Sequence, residues 1–251
     1  MGRASKRKQA PDGSARHREK RRKMFEDIRL ATVGFGLFWP PPDKREPVIV
    51  GTGIAIKRPR VILTAAHVLE GLRKEAKTEK GTAAVFTVDS ATSSRQEVEL
   101  SYAVTAITQS LENQQYDVAV VSIERGGFPS RQMAVGYDLA PQEGDQVVTC
   151  GWPHGIKLYK GKTVISTFLQ GPVSAVIPHP VAAAALRDSY TIQMPVNPGN
   201  SGGGVIEVAS GKVFGIVMGV YGTTGLATVS PLARCRDMIE NAGLDSQGGK
   251  R

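Results

Sequence analysis

Cysteine is almost missing from this chain. Cys150 and Cys235 are the only two, and neither lies in a Cys-x-x-Cys pair. Two thiols cannot build a disulfide framework or a cysteine-rich zinc site. The four histidines show no His-Glu-x-x-His spacing, so no metal is expected. Long apolar runs are also missing. Ile28–Trp39 is short and broken by Gly34 and Gly36, and nothing approaches the roughly 18 apolar residues of a membrane-spanning helix. The basic start is not followed by the roughly 7–15 apolar residues of a secretory leader. These absences together point to a cytoplasmic location.

Acidic residues are scarce at one end. Residues 1–23 hold ten Lys and Arg against Asp12 and Glu19, leaving 22 basic and 21 acidic residues in the remainder. The net charge of +9 therefore belongs to an arm rather than to the folded part. With almost no apolar side chains, such a segment cannot offset its ordering entropy, so residues 1–23 are expected to be a disordered basic arm. Contact of that arm with nucleic acid or an anionic surface is the partner reading its charge allows.

Beyond the arm, 28 glycines and 15 prolines punctuate short apolar runs without a period. Many strands, frequent turns and no strand–helix–strand alternation predict an all-β protein built from antiparallel sheets. The strands suffice for two six-stranded β-barrels, over about 31–125 and 143–230, joined through 126–142. A C-terminal helix is expected with Ser230 as N-cap, Pro231 in its first turn and Gly243 just past its end. Residues 244–251 read as a flexible tail.

Three strings carry chemistry. Asn197-Pro198-Gly199-Asn200-Ser201-Gly202-Gly203-Gly204 places a serine among glycines, which let the backbone turn tightly and offer N–H groups to a substrate carbonyl. Val61-Ile62-Leu63-Thr64-Ala65-Ala66-His67 ends an apolar strand in small residues and a histidine. Tyr116-Asp117-Val118-Ala119 sets a carboxylate at the head of an apolar strand, where an unpartnered charge is costly. Each string alone has an ordinary structural reading; their joint occurrence in the order His, Asp, Ser does not. The Gly-x-Ser-x-Gly pattern also fits an α/β-hydrolase elbow, but that fold needs its histidine after the serine. All four histidines, at 17, 67, 154 and 179, precede Ser201.

The blocks Thr64-Ala65-Ala66-His67, Asp117-Val118-Ala119 and Gly199-Asn200-Ser201-Gly202-Gly203 resemble the three catalytic blocks of the chymotrypsin/trypsin-like serine proteases. Val50–Ile56, Gly151-Trp152-Pro153-His154-Gly155, Gly211–Ile216 and Gly225–Ile239 are similar to the HtrA/Deg branch, so the resemblance spans roughly residues 31–242. It implies a chymotrypsin fold and a protease domain over 24–243. It also implies a His67–Asp117–Ser201 triad and an oxyanion hole from the N–H groups of Gly199 and Ser201. Protein or peptide substrates follow, with no cofactor. Pro195, six positions before Ser201, would stand at the pocket base. Ile216, Val217 and Met218 would form its wall, which implies small or apolar specificity. Two departures are expected: no PDZ domain follows the last helix, and the stretch from His67 to Asp117 is long, with an insertion within Leu72–Gln96. A homo-oligomer is compatible with this resemblance. The alternative reading is a protease-like binding module or pseudoprotease, tethered by its basic arm.

Overall fold

The computed structural model describes residues 13–58, 60–93, 98–124, 128–153, 166–178, 188–222 and 225–242. Twelve strands close into two antiparallel barrels. The first holds β1 (Thr32–Phe38), β2 (Val48–Ala55), β3 (Val61–Thr64), β4 (Thr82–Ser93), β5 (Val98–Asn113) and β6 (Val118–Ile123), in the order β1-β2-β3-β6-β5-β4. The second holds β7 (Gln146–Gly151), β8 (Thr167–Ile177), β9 (Ser189–Ile192), β10 (Gly204–Glu207), β11 (Val213–Val220) and β12 (Ala227–Pro231), in the order β10-β11-β12-β9-β8-β7. Closure pairs the edge strands of each barrel, β1 with β4 and β10 with β7. The two six-stranded barrels of the sequence reading are both present.

Period-two alternation assigns the core. On β7, Val147 points into the second barrel while Val148 and Cys150 join the cluster that fills the first barrel and the space between the two. Tyr190 and Phe214 meet edge-to-face at 5.2 Å inside the second barrel. The segment between β6 and β7 joins the barrels. Met133 exchanges backbone hydrogen bonds with Ala55 and Lys57, and the Gly136 N–H donates to Val213 O, whose own N–H donates to Ala134 O. One strip of chain is thus laced to β2 on one side and to β11 on the other.

Among the described residues three α-helices accompany the strands, and the first corrects the sequence reading. Within the stretch expected to be disordered, residues 13–23 are helical, because α1 runs over Gly13–Ala31; residues 1–12 lie outside the described residues. Arg, Lys and Glu are good helix formers. The helix also has an apolar side: Ile28 and Ala31 are fully buried, and Phe25 stacks on Phe168 of β8 at 4.8 Å. Arg29 lies over the same ring, and Arg21 donates to Gln170 Oε1. Leading into β1 while lying on β8, α1 touches both barrels.

The second helix, α2 (Ala66–Glu79), follows β3 directly and occupies part of the stretch read as an insertion. It buries Val68, Leu69 and Leu72, and Arg73 pairs with Glu112 of β5 at 2.6 Å. The C-terminal helix is present but starts later than expected. Ser230 pairs with Ile216 inside β12 and caps nothing, because strand pairing with β11 continues through Pro231. A 3-10 turn over Leu232–Cys235 precedes α3 (Arg236–Asn241). Gly243, the tail 244–251, His154, His179 and the end of the Gly151–Gly155 turn lie outside the described residues. Among the described residues, no helix is long and apolar enough to cross a membrane.

Candidate active site

His67 is the second residue of α2, immediately beyond the end of β3. The first N–H groups of any α-helix lack partners within it, and Ala65 at the N-cap position supplies no side-chain acceptor. Asp117, from the turn between β5 and β6, fills that need. Its carbonyl accepts from the Ala66 N–H at 3.2 Å, and its Oδ1 accepts from the His67 N–H at 2.8 Å. Its other oxygen, Oδ2, stands 2.6 Å from His67 Nδ1. One carboxylate thereby caps the helix and holds the ring. Asp117 adopts φ of 51°, a left-handed conformation that Asp tolerates better than most residues. The histidine side chain remains 46% exposed and the carboxylate 23%. Nδ1 is committed to Asp117, so Nε2 is the ring nitrogen left for other chemistry.

Ser201 sits on the loop entering β10. Gly202, at φ of 85°, permits the loop's close approach to the first barrel. A Cβ there would lie 2.1 Å from Thr52 O, 2.2 Å from Thr64 Oγ1 and 3.0 Å from Ala65 N, so only glycine fits. This contact brings the serine loop against the strand end that presents His67. The Gly202 N–H donates to Val217 O and the Val217 N–H to Gly203 O, fixing the loop on β11. Ser201 Oγ donates to Met218 O at 3.1 Å. Among the described residues, no backbone carbonyl accepts from the N–H of Gly199 or Ser201.

Thr52 is the residue that sequence reasoning missed. Fully buried between Gly51 and Gly53, it makes four contacts. Its N–H donates to Ser201 O at 2.8 Å, and its carbonyl accepts from Thr64 Oγ1 at 2.7 Å. Its hydroxyl donates to Gly199 O at 2.6 Å and accepts from the Trp152 N–H at 3.1 Å. Both ends of the Gly199-Asn200-Ser201 turn are thus tied to one side chain and its backbone. The available signal was a lone hydroxyl in an otherwise apolar, glycine-flanked strand.

The four expected pocket residues are placed differently from one another. Pro195 is exposed and Met218 half-buried. Ile216 is fully buried in the cluster between the barrels, and Val217 is fully buried in the second barrel's core. Both cysteines are free and buried, and burial pushes the Cys235 thiol up to about 11.

Known proteins resemble this chain in sequence and in fold. Across 204 residues the chain is 28% identical to HhoA of Synechocystis sp. (strain ATCC 27184 / PCC 6803 / Kazusa), a protein named as a serine protease. That alignment covers 80% of this chain but 45% of HhoA, so the chain spans less than half the length of this relative. Among solved structures, Deg5 superposes with a TM-score of 0.58 at 17% identity, covering 88% of this chain and 92% of Deg5. The HtrA-type protease AlgW, solved with a decapeptide, gives 0.60 at 16% identity, covering 88% of this chain and 66% of AlgW. These likenesses carry the fold. The match to a family is direct: residues 51–216, which include His67, Asp117 and Ser201, fit the trypsin-like peptidase domain, and the chain belongs to that family.

Proposed function

We propose that this chain is a serine endopeptidase working through a covalent acyl-enzyme. The observation that carries this reading is the 2.6 Å contact between His67 Nδ1 and Asp117 Oδ2, made beside the Ser201 loop. In the proposed cycle, Ser201 Oγ leaves its bond to Met218 O by rotation about its Cα–Cβ bond and turns to His67 Nε2. The imidazole takes the hydroxyl proton as Oγ bonds to the scissile carbonyl carbon. Asp117 holds the ring's tautomer and stabilises the imidazolium. The N–H groups of Gly199 and Ser201 meet the developing oxyanion. The C–N bond then breaks as His67 passes its proton to the leaving amine. Water, deprotonated by the same ring, releases the acyl group and restores Ser201.

Substrates of this protease domain, read as residues 24–243, are proposed to be proteins or peptides cleaved after small or apolar residues. Pro195 offers no carboxylate to a Lys or Arg side chain. With Ile216 and Val217 packed in the cores, the accessible wall passes to Met218 and the exposed Val220 at the end of β11.

A fluorophosphonate probe is expected to label the wild-type chain and to leave Ser201→Ala unlabelled. Peptide hydrolysis by that variant is expected to fall on the order of 10⁶-fold in kcat, as for groups that act as a unit. Equal labelling of both proteins would remove Ser201 from the mechanism. A cleavage profile dominated by Lys or Arg would overturn the pocket assignment.

A further inference from the structure

A groove of about 910 Å³ runs between α1 and the hairpin joining β10 to β11. His17, Lys20 and Lys23 of α1 line one side; Lys57, Arg131 and Lys212 line the other. The floor is largely apolar, formed by Met24, Met133 and Val208. Asp27 is the only carboxylate lining it among the described residues, and that group is already taken by Arg131 at 3.0 Å. Arg21, also lining the groove, donates to the neutral Gln170 and lies over the Phe25 ring, with no carboxylate paired to it among the described residues. Cations facing one another across a cleft repel, and a linear polyanion laid between them turns that repulsion into attraction.

We propose that this groove binds the phosphate backbone of single-stranded nucleic acid. Its concave shape, with cations on both walls, suits a threaded chain; a planar bilayer would meet only the rim. The exposed large apolar residues among those described are Leu111, Val220 and Tyr221, none of them in the groove. A membrane-inserting face would carry such residues. A peptide neutralising this many cations in so small a volume would need a nearly unbroken run of carboxylates, whereas every nucleotide brings a phosphate. The sequence ahead of α1 is also basic, with Arg3, Lys6, Arg7 and Lys8.

The groove is separate from the proposed catalytic cleft. Lys212 follows β10 whereas Ser201 precedes it, and Lys57 lies two residues past the end of β2, five residues on from Thr52. At roughly 3.3 Å per strand residue, the three residues from Thr52 to the end of β2 at Ala55 span about 10 Å, and Lys57 stands in the bend beyond. Bound nucleic acid therefore leaves the cleft open.

The test is fluorescence anisotropy of the full chain with a short fluorescein-labelled oligothymidylate at several salt concentrations. Each phosphate contact adds about 0.7 to the slope of log affinity against log salt for single strands. The exposed pair Lys57→Glu/Lys212→Glu is expected to weaken binding by about tenfold or more and to lower that slope by about 1.4. Hydrolysis of a short peptide and the melting temperature are expected to stay unchanged. Lys20→Ala/Lys23→Ala, on the opposite wall, repeats the measurement on a second element, so a folding defect in either variant leaves the other decisive. Undiminished binding in the folded variants would overturn the groove and assign binding to residues 1–12 alone. Displacement of the oligonucleotide by polyglutamate at equal charge, or equal capture by phosphatidylserine vesicles, would overturn the choice of nucleic acid.

Discussion

The two barrels contribute to the proposed site in different ways. The first delivers a finished half-site: His67 and Asp117 are already in contact, and the carboxylate is held by the helix it caps. The second delivers a loop whose backbone is fixed on β11 and Thr52 but whose hydroxyl is still bonded to Met218 O. The contrast follows from the local chemistry. A carboxylate at a helix start is stabilised by the donors it satisfies whether or not substrate is present. A serine hydroxyl gains little from any one acceptor and turns among several by a single rotation. The proposed site is therefore rigid where the proton is managed and adjustable where the nucleophile is held.

The strongest challenge to this contrast is Asp117→Asn. Loss of the ring's proper tautomer is expected to lower kcat by about 10⁴-fold. Asp117→Ala, which also removes the cap that an Asn amide oxygen would keep, is expected to cost about 1 kcal/mol, a fall of roughly 2–4 °C in melting temperature. Ser201→Ala, by contrast, should melt like wild type. Equal melting of both variants would show that the carboxylate does not secure the helix. Next in size, Gly202→Ala forces a methyl against Thr52 O and Thr64 Oγ1 in a left-handed backbone. A loss of about 3 kcal/mol or more is expected, read as a lowered denaturant midpoint. A neutral result would mean that the barrels separate easily at this contact.

Thr52→Val tests how firmly the adjustable side is anchored. Without the hydroxyl, Gly199 O and the Trp152 N–H lose their shared partner. kcat is expected to fall about 10²-fold, the scale of a misplaced oxyanion donor. KM should change little, and Thr52→Ser should restore the rate. A change in KM alone would place Thr52 in substrate binding instead. The smallest effect concerns the packed region behind the cleft. Cys235 has its pKa raised by burial to about 11 from an ordinary value of 9.0. The unfolded chain gives up this proton first, so the stability carried by the protonated thiol is complete below about pH 9. It is lost as pH rises through about 11, with a slope of at most about 1.4 kcal/mol per pH unit. Denaturant titrations of wild type and Cys235→Ala across that range should diverge, and Ellman's reagent at pH 8 should find neither thiol until the chain unfolds.

Sequence alone conveyed the barrels because turn residues at regular intervals and the absence of strand–helix alternation leave few other architectures. It also conveyed the three blocks, since glycines beside Ser201 and small residues beside His67 are required by how closely the chains pass. The helices were less legible. The charges of residues 13–23 read as disorder, although Phe25, Ile28 and Ala31 supplied an apolar side for packing. Val68, Leu69, Leu72 and Ala76 follow helical spacing in α2, and all but Ala76 are fully covered; attention to His67 obscured that pattern. Ser230 has the composition of an N-cap, but pairing across β11 and β12 prevailed over that local preference. Positions along a strand are countable in sequence, whereas burial on both faces is not, so the full burial of Ile216 and Val217 was not legible.

Because Asp117 holds up α2 as well as turning the imidazole, its loss would harm the molecule even where no peptide is ever cut. Descendants that abandoned hydrolysis would be expected to keep this aspartate for its scaffolding value and to lose the serine freely. In surveys of this lineage, a preserved His–Asp pair would then be a poor marker of enzymatic competence, and the residue at position 201 would be the more telling one to inspect.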